Sequence, residues 1–368
     1  MVPCKDGELM RRALRCVGQA LVIGAITLAL DYVLTATLFA EQKRALAEAD
    51  AGNYVVYLPS PYHHDLIPNR TSTRVWGNVI YPWKTDQWGF RTGACAPGEA
   101  EKKREAIFVI GDSFTEALGS SYEDSFVGLM ACDAAKQNKA VWNLGVASYS
   151  PTIYHRKIRA ATERLGLKPT EIFVFLDLSD IDDDANVYRI TADGTVTTAS
   201  APPGGQKPMI EFDLGQFLVN NFTTFRFVYD LYLTSSFSYV NSVGRYRARW
   251  TVDPALLESW GRRGLETAAG NLDMVIEICR EWDCRVTLVV YPWPDNVVAN
   301  DKYSIQVGYW RAWAAKRGAR FIDGFAPFFR EPTETVMRKY YIVGDVHFTP
   351  LGNRLLYDEV RREIDADW

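Results

Sequence analysis

The sequence predicts an α/β protein: a five-stranded parallel sheet between two layers of helices, with an N-terminal transmembrane helix and a helical cap insertion. Three observations carry this expectation. From residue 106 onward, apolar runs alternate with helical stretches, beginning AIFVIG, VWNLGV and EIFVFLDL and ending RVTLVVY and ARFID. Strands that are apolar on both faces and separated by helices belong to parallel sheets covered on both sides. The alternation is interrupted between about 181 and 252, by a loop PPGGQKP and an apolar stretch FLVNNFTTFRFVYDLYL, which marks the cap. Finally, the run from Val17 to Ala40 is apolar apart from a few small or polar residues and Asp31, and about 20 such residues span a bilayer as a helix.

Taken in chain order, residues 1–16 form a short cytoplasmic N-terminus and 17–40 the anchor. Lys5, Arg11, Arg12 and Arg15 precede the apolar run and Lys43 and Arg44 follow it, so the positive-inside bias keeps the N-terminus in the cytoplasm and exports the rest. No A-x-A site closes the run, which favours an uncleaved anchor at the cytoplasmic (inner) membrane of a bacterium over a signal peptide. Asp31 at mid-bilayer costs about 2.5 to 3.5 kcal/mol. Two readings stand for it: pairing with a partner helix, or a helix displaced toward an interface.

Residues 41–100 read as a linker and an aromatic lead-in, and 101–368 as the main domain, with the cap inside it. Helices are expected near 124–137, 152–166 and 303–317. Another starts at Asp253-Pro254, where Asp caps and Pro fills the first turn, and runs to about Arg280. The last opens at Thr349-Pro350. Net charge is −4, with charged residues at 23%, so there is no basic footprint for nucleic acid and that partner is excluded. Six Cys leave Cys95, Cys132, Cys279 and Cys284 on the exported side. An even count permits disulfides, and buried free thiols fit equally well. The sequence has no C-x-x-C pair or His/Cys cluster, so no zinc or other cofactor is expected.

The chemistry is concentrated at two ends of the main domain. Ile107 to Ser113 reads IFVIGDS, a buried strand that delivers a serine to the carboxyl edge of the sheet, where open α/β sheets bind ligands. Far along the chain, Asp345-Val346-His347 precedes the last helix. A serine hydroxyl is a weak nucleophile until a base takes its proton, and that base works best when a third group fixes its tautomer. Ser113, His347 and Asp345 supply those three groups. The duller alternative is a helix cap at one end and a plain turn at the other.

These blocks resemble the SGNH/GDSL hydrolase superfamily, from about Gly111 to the C-terminus. The resemblance implies a flavodoxin-like three-layer sandwich, with Ser113 in Gly111-Asp112-Ser113 as nucleophile. It also implies an oxyanion hole formed by Ser113 and by Gly145 of Asn143-Leu144-Gly145. The family's third block usually supplies an Asn, whereas this chain reads Leu176-Asp177-Leu178-Ser179-Asp180, which leaves Ser179 in its place. Many members space the last pair as D-x-x-H. The shorter Asp345-Val346-His347 resembles a membrane-anchored branch associated with exopolysaccharide.

The acidic run Asp177, Asp180, Asp182, Asp183 and Asp184 admits a hard-cation site supporting phosphotransfer, set against a solvated loop that caps helices. Tyr291 and Trp293, in Tyr291-Pro292-Trp293-Pro294, are candidate substrate-binding residues that stack on a sugar, together with Trp76, Tyr81, Trp83 and Trp88 of the lead-in. The alternative is packing beneath the cap. The expected function is therefore a serine-dependent ester hydrolase or O-acyltransferase acting outside the cytoplasmic membrane on acylated cell-surface carbohydrate. A catalytically silent scaffold for polysaccharide assembly is the alternative.

Overall fold

The computed structural model describes residues 6–38, 40–41, 44, 55–57, 62–76, 79–198 and 246–364, with 218, 221–225 and 227–228 between them. Most of the expected linker and of the apolar cap stretch lies outside the described residues. Helix α1, Asp6–Leu38, contains a span, Leu14–Leu38, that is long and apolar enough to cross a membrane.

The central sheet is built from β1 (Glu105–Ile110), β2 (Lys139–Asn143), β3 (Glu171–Leu176), β4 (Arg285–Val290) and β5 (Arg320–Asp323). All neighbours are parallel, in the order β5-β4-β3-β1-β2. Every residue of β3 is buried, as is each residue of β1 after Glu105. That is the pattern of strands covered on both faces. The register sets Phe108 opposite Trp142 on one side and Ile172 on the other, so large side chains fill the middle of the sheet. Strand order reverses between β1 and β3, and the crevice outside the carboxyl ends at such a point is where α/β sheets bind ligands.

Helices α2 (Phe126–Lys136) and α6 (Pro350–Ile364) pack together over one face. Helices α3 (Pro151–Leu165), α4 (Arg262–Trp282) and α5 (Ile305–Arg317) cover the other. On that face the indole of Trp313 and the guanidinium of Arg317 in α5 both hydrogen-bond Asp273 of α4. The helix expected from Pro254 to about Arg280 is present and runs to Trp282, with one wider turn inside it. After Pro254–Leu256, capped by the Asp253 side chain, the chain takes a wider turn over Leu257–Gly261 before α4 begins, and this turn carries Trp260 to a buried position.

The lead-in, read as an aromatic, turn-rich segment without helical periodicity, contains an antiparallel hairpin, Thr71–Trp76 against Val79–Lys84. Alternation explains it, since Arg74, Tyr81 and Trp83 are buried while Thr71, Pro82 and Lys84 are exposed. Arg91 is a structural anchor: its guanidinium donates to the carbonyls of Pro82 and Ser120 and lies over the Trp83 ring.

Cys95 pairs with Cys132 and Cys279 with Cys284, which decides between disulfides and free thiols for these four residues. The first pair ties the segment after the hairpin to α2 across a sequence separation of 37. Closing a loop of that size restricts the unfolded chain, so Cys95→Ser with Cys132→Ser should lower unfolding free energy by about 2 to 4 kcal/mol, read from denaturant midpoints.

His64 is buried, and its Nε2 lies 2.8 Å from the carbonyl of Ala147 while its Nδ1 lies 3.0 Å from Nδ1 of His63. A neutral ring satisfies both contacts, donating through Nε2 and accepting at Nδ1. Burial first, and then the His63 and Lys157 charges, push its pKa down to about 4. The unfolded chain takes up this proton near pH 6.5, so the stability that His64 contributes is complete above that pH and is lost as pH falls toward 4. Thermal midpoints should drop across this window, and His64→Gln should shrink the drop. An unchanged pH slope in that variant would count against a buried neutral imidazole.

Candidate active site

The site begins at the end of β1. The carbonyl of Phe175 in β3 and the Thr115 side chain crowd Gly111, where a Cβ would stand 2.7 Å and 2.2 Å from them. Only glycine lets the chain turn there so close to the neighbouring strand. The Asp112 carboxyl then accepts the N–H of Phe114, capping a short turn, Ser113–Glu116, that raises Ser113 out of the sheet.

His347 reaches the same point from the other end of the chain. Gly344, at φ 71°, reverses the backbone, and the Asp345 carboxylate accepts the His347 N–H at 2.9 Å. That local ring fixes the spacing of the pair. Nδ1 of His347 then lies 2.5 Å from Asp345 Oδ1, and Nε2 lies 2.8 Å from Ser113 Oγ. Ser113, His347 and Asp345 therefore form one continuous hydrogen-bonded chain, spanning 234 residues of sequence between the serine and the histidine. Burial disfavours a charged Asp345, yet the His347 imidazole and its N–H donors overcome this and hold the carboxyl well below the usual carboxylate range. An ionised Asp345 keeps the proton of the neutral ring on Nδ1 and leaves Nε2 as an acceptor facing the serine.

Ser113 Oγ carries one proton and has two partners, because Asp112 Oδ2 is 3.0 Å away. Burial and the neighbouring charge of Asp177 push the Asp112 pKa well above the ordinary carboxylate value. That upward shift weakens Asp112 as a competitor for the hydroxyl proton and favours its donation to His347.

Trp76, expected from the sequence only among aromatics for sugar stacking, sits at the histidine. In the structure its indole N–H lies 3.1 Å from His347 Nδ1, the rings meet edge to face with centroids 5.2 Å apart, and the same N–H hydrogen-bonds Asp345. Phe114 covers another side of the imidazole, with centroids 4.6 Å apart. The hairpin carrying Trp76 is pinned to the serine turn by Glu116, which accepts from Arg74 at 3.4 Å and from the Trp83 indole at 3.2 Å. No sequence signal pointed to this, because the two segments meet only through the fold.

The expected oxyanion donors need correction. The N–H of Gly145 is donated to Asn143 Oδ1 at 2.9 Å, and Asn143 Nδ2 in turn donates to the Thr115 carbonyl. A Cβ at Gly145 would stand 2.5 Å from Thr115 Cγ2, so this glycine lets the loop after β2 press against the serine turn. The Ser179 hydroxyl and N–H are both donated to Asp177 Oδ1, at 2.8 Å and 2.6 Å, because Asp177 caps its own turn. The Ser113 N–H, by contrast, donates to no acceptor among the described residues.

For Tyr291 and Trp293, internal packing holds and sugar stacking does not. Tyr291 is fully buried and Trp293 is 4% exposed, with its indole donated to Asp177 Oδ2 at 2.9 Å. Both pack beneath Phe114, where an apolar body and one polar contact suit a buried aromatic. Nor is the acidic run a solvated loop. Asp177, Asp180, Asp182, Asp183 and Asp184 are all buried. Arg247 pairs with Asp182 and Asp183 at 3.0 Å and 2.6 Å, Tyr154 donates to Asp180, and Asp184 accepts from Ser150, Thr152 and Asn271. Carboxylate oxygens of Asp112, Asp177 and Asp180 come within 4.8 Å of one another. Most are already occupied by protein donors, so they act as internal acceptors that brace the serine turn from below.

No protein-family model matches this chain, and neither does any curated protein. Similarity is found to several solved structures, lipolytic proteins among them. One is a member of the lipolytic G-D-S-L family from Veillonella parvula, 15% identical, covering 72% of this chain and 100% of its own, with a TM-score of 0.41. TesA is 13% identical, with coverages of 71% and 99% and a TM-score of 0.40. A GDSL-like lipase from Bacteroides thetaiotaomicron is 13% identical, with coverages of 74% and 92% and a TM-score of 0.39.

The hydrogen-bonded chain generates a graded expectation for the reactivity of Ser113 toward a fluorophosphonate. Asp345→Asn, which favours the wrong tautomer of His347, should slow labelling on the order of 10³ to 10⁴-fold. Asp112→Asn, an uncharged isostere, should leave labelling within about tenfold of the native rate, because burial and the Asp177 charge already disfavour the ionised carboxyl. Equal losses in the two variants would refute the division of roles.

Proposed function

We propose that this protein is a serine-dependent ester hydrolase or O-acyltransferase of the SGNH/GDSL type. The observation that carries the reading is the unbroken contact from Ser113 Oγ through His347 to Asp345. In the proposed reaction, Oγ attacks the ester carbonyl carbon while its proton passes to Nε2, and Asp345 stabilises the imidazolium that forms. Collapse of the tetrahedral intermediate expels the alcohol, which takes the proton back from Nε2. Water or a second hydroxyl then attacks the acyl-serine with His347 again as base, releasing the acid or a new ester.

The developing oxyanion meets the Ser113 N–H, while the Gly145 N–H joins it only by giving up Asn143. Loss of one such donor typically lowers rates about 10² to 10³-fold, so this protein is expected to be a slow catalyst on generic esters. That same engagement of Gly145 and Ser179 favours the second reading, a catalytically silent scaffold.

The apolar helix Leu14–Leu38 supports action at a membrane. With the cationic residues on its N-terminal side, it favours a site outside the cytoplasmic membrane. Cell-surface carbohydrate esters are the substrates that this location and the sequence resemblance favour. Ser113→Ala should abolish acyl release from an aryl acetate while leaving the near-ultraviolet spectrum of the folded protein unchanged. Wild-type rates in that variant would overturn the serine mechanism. A native protein that neither turns over nor accepts a fluorophosphonate would establish the scaffold.

A further inference from the structure

The described part of the insertion returns to the anchor helix. The N–H of Thr223 donates to Thr35 Oγ1 at 2.7 Å, and the two threonine hydroxyls are themselves 2.7 Å apart. The N–H of Thr224 donates to the Asp31 carboxylate at 3.2 Å and 3.3 Å, and the Phe222 ring meets Tyr32 at 5.9 Å. Asp31 and Thr35 are consequently buried on a helix whose other side chains, from Leu14 to Leu38, are almost all exposed.

Asp31 lies about two turns, roughly 10 Å, before the helix end at Leu38. At that depth a carboxylate needs a donor from the protein, since hydrocarbon offers none. The Thr224 N–H provides it. The same arrangement resolves the two readings of Asp31 in favour of a partner segment, supplied by this chain itself.

Next to these contacts, Phe225, Phe227 and Val228 are exposed, Phe227 by 66%. A cluster of this kind is mismatched with water and matched to acyl chains. Its sequence context agrees, since FLVNNFTTFRFVYDLYL has only Arg226 and Asp230 as charged residues. Both stems of the insertion leave the carboxyl edge of the sheet, the edge that bears Ser113. One is the hairpin Tyr188–Ile190 with Val196–Thr198; the other is Tyr246–Arg249, held down by Arg247 on Asp182 and Asp183.

We propose that residues 221–225, 227 and 228 sit in the lipid bilayer against α1, with Phe225, Phe227 and Val228 on acyl chains, as a second membrane contact that turns the Ser113 edge toward the bilayer. The inference rests on the membrane reading of α1. Two attachments hold a domain far more firmly than one, and they also fix its orientation.

The test uses the full chain with Cys4 and Cys16 changed to Ser, reconstituted in vesicles of phosphatidylethanolamine and phosphatidylglycerol. Spin labels are placed singly at Phe227→Cys and Val228→Cys, with Leu28→Cys in α1 and Tyr303→Cys, at an 87% exposed position of the catalytic domain, as references. Collision with oxygen against collision with a water-soluble nickel chelate is then read by paramagnetic resonance. Labels at 227 and 228 should show an oxygen-to-nickel ratio on the side of Leu28. A ratio on the side of Tyr303, with Leu28 still favouring oxygen, overturns the inference and leaves the anchor intact. If Leu28 itself favours nickel, the membrane reading fails first and takes the inference with it.

Discussion

The 2.8 Å contact between Ser113 and His347 is the constraint on which the rest of the structure turns. It joins the end of β1 to the turn before α6, so everything between must fold correctly for it to form. The sheet fixes one partner, because β1 is buried between β2 and β3 and delivers the serine at the point where strand order reverses. The other partner depends on a local device, the Gly344 turn and the Asp345 carboxylate bonded to the His347 backbone. Between them lies a dense bracing shell. Asn143 holds the Thr115 carbonyl, Glu116 is held by Arg74 and Trp83, and Asp177 caps its own turn while binding the Trp293 indole.

That shell explains the buried acidity around the serine. Carboxyl groups cannot all remain charged at such proximity in a water-poor interior, and burial together with mutual repulsion raises Asp112, Asp180 and Asp183. Asp345 is shifted the other way, because its imidazole partner favours the ionised form. Two aspartates within reach of one serine-histidine pair are thereby shifted in opposite directions, Asp112 upward and Asp345 downward. That division is what a proton relay of fixed direction requires.

How much of this was legible in the sequence follows from how local each signal is. The five strands, the serine turn and the Asp345-His347 pair are encoded in short runs whose hydrophobic pattern and spacing are visible directly. Gly111 was legible as a turn, although its decisive property is close approach to the Phe175 carbonyl. Trp76 was not legible as a neighbour of His347, because the hairpin that carries it reaches the site through long-range packing. Tyr291 and Trp293 stood between a binding surface and internal packing, since sitting at a strand's carboxyl end does not reveal which side chains Phe114 will cover. The acidic run was misread as solvated for a related reason: Arg247, Tyr154 and Asn271, which satisfy it, come from three distant segments.

The most direct measurement is peptide mass spectrometry after acid quenching of a reaction with an activated acetyl ester. The account predicts one acetyl group on the peptide containing Ser113, formed in a rapid first phase and lost as turnover proceeds. Turnover without that adduct, or an adduct confined to another residue, would contradict a nucleophilic Ser113.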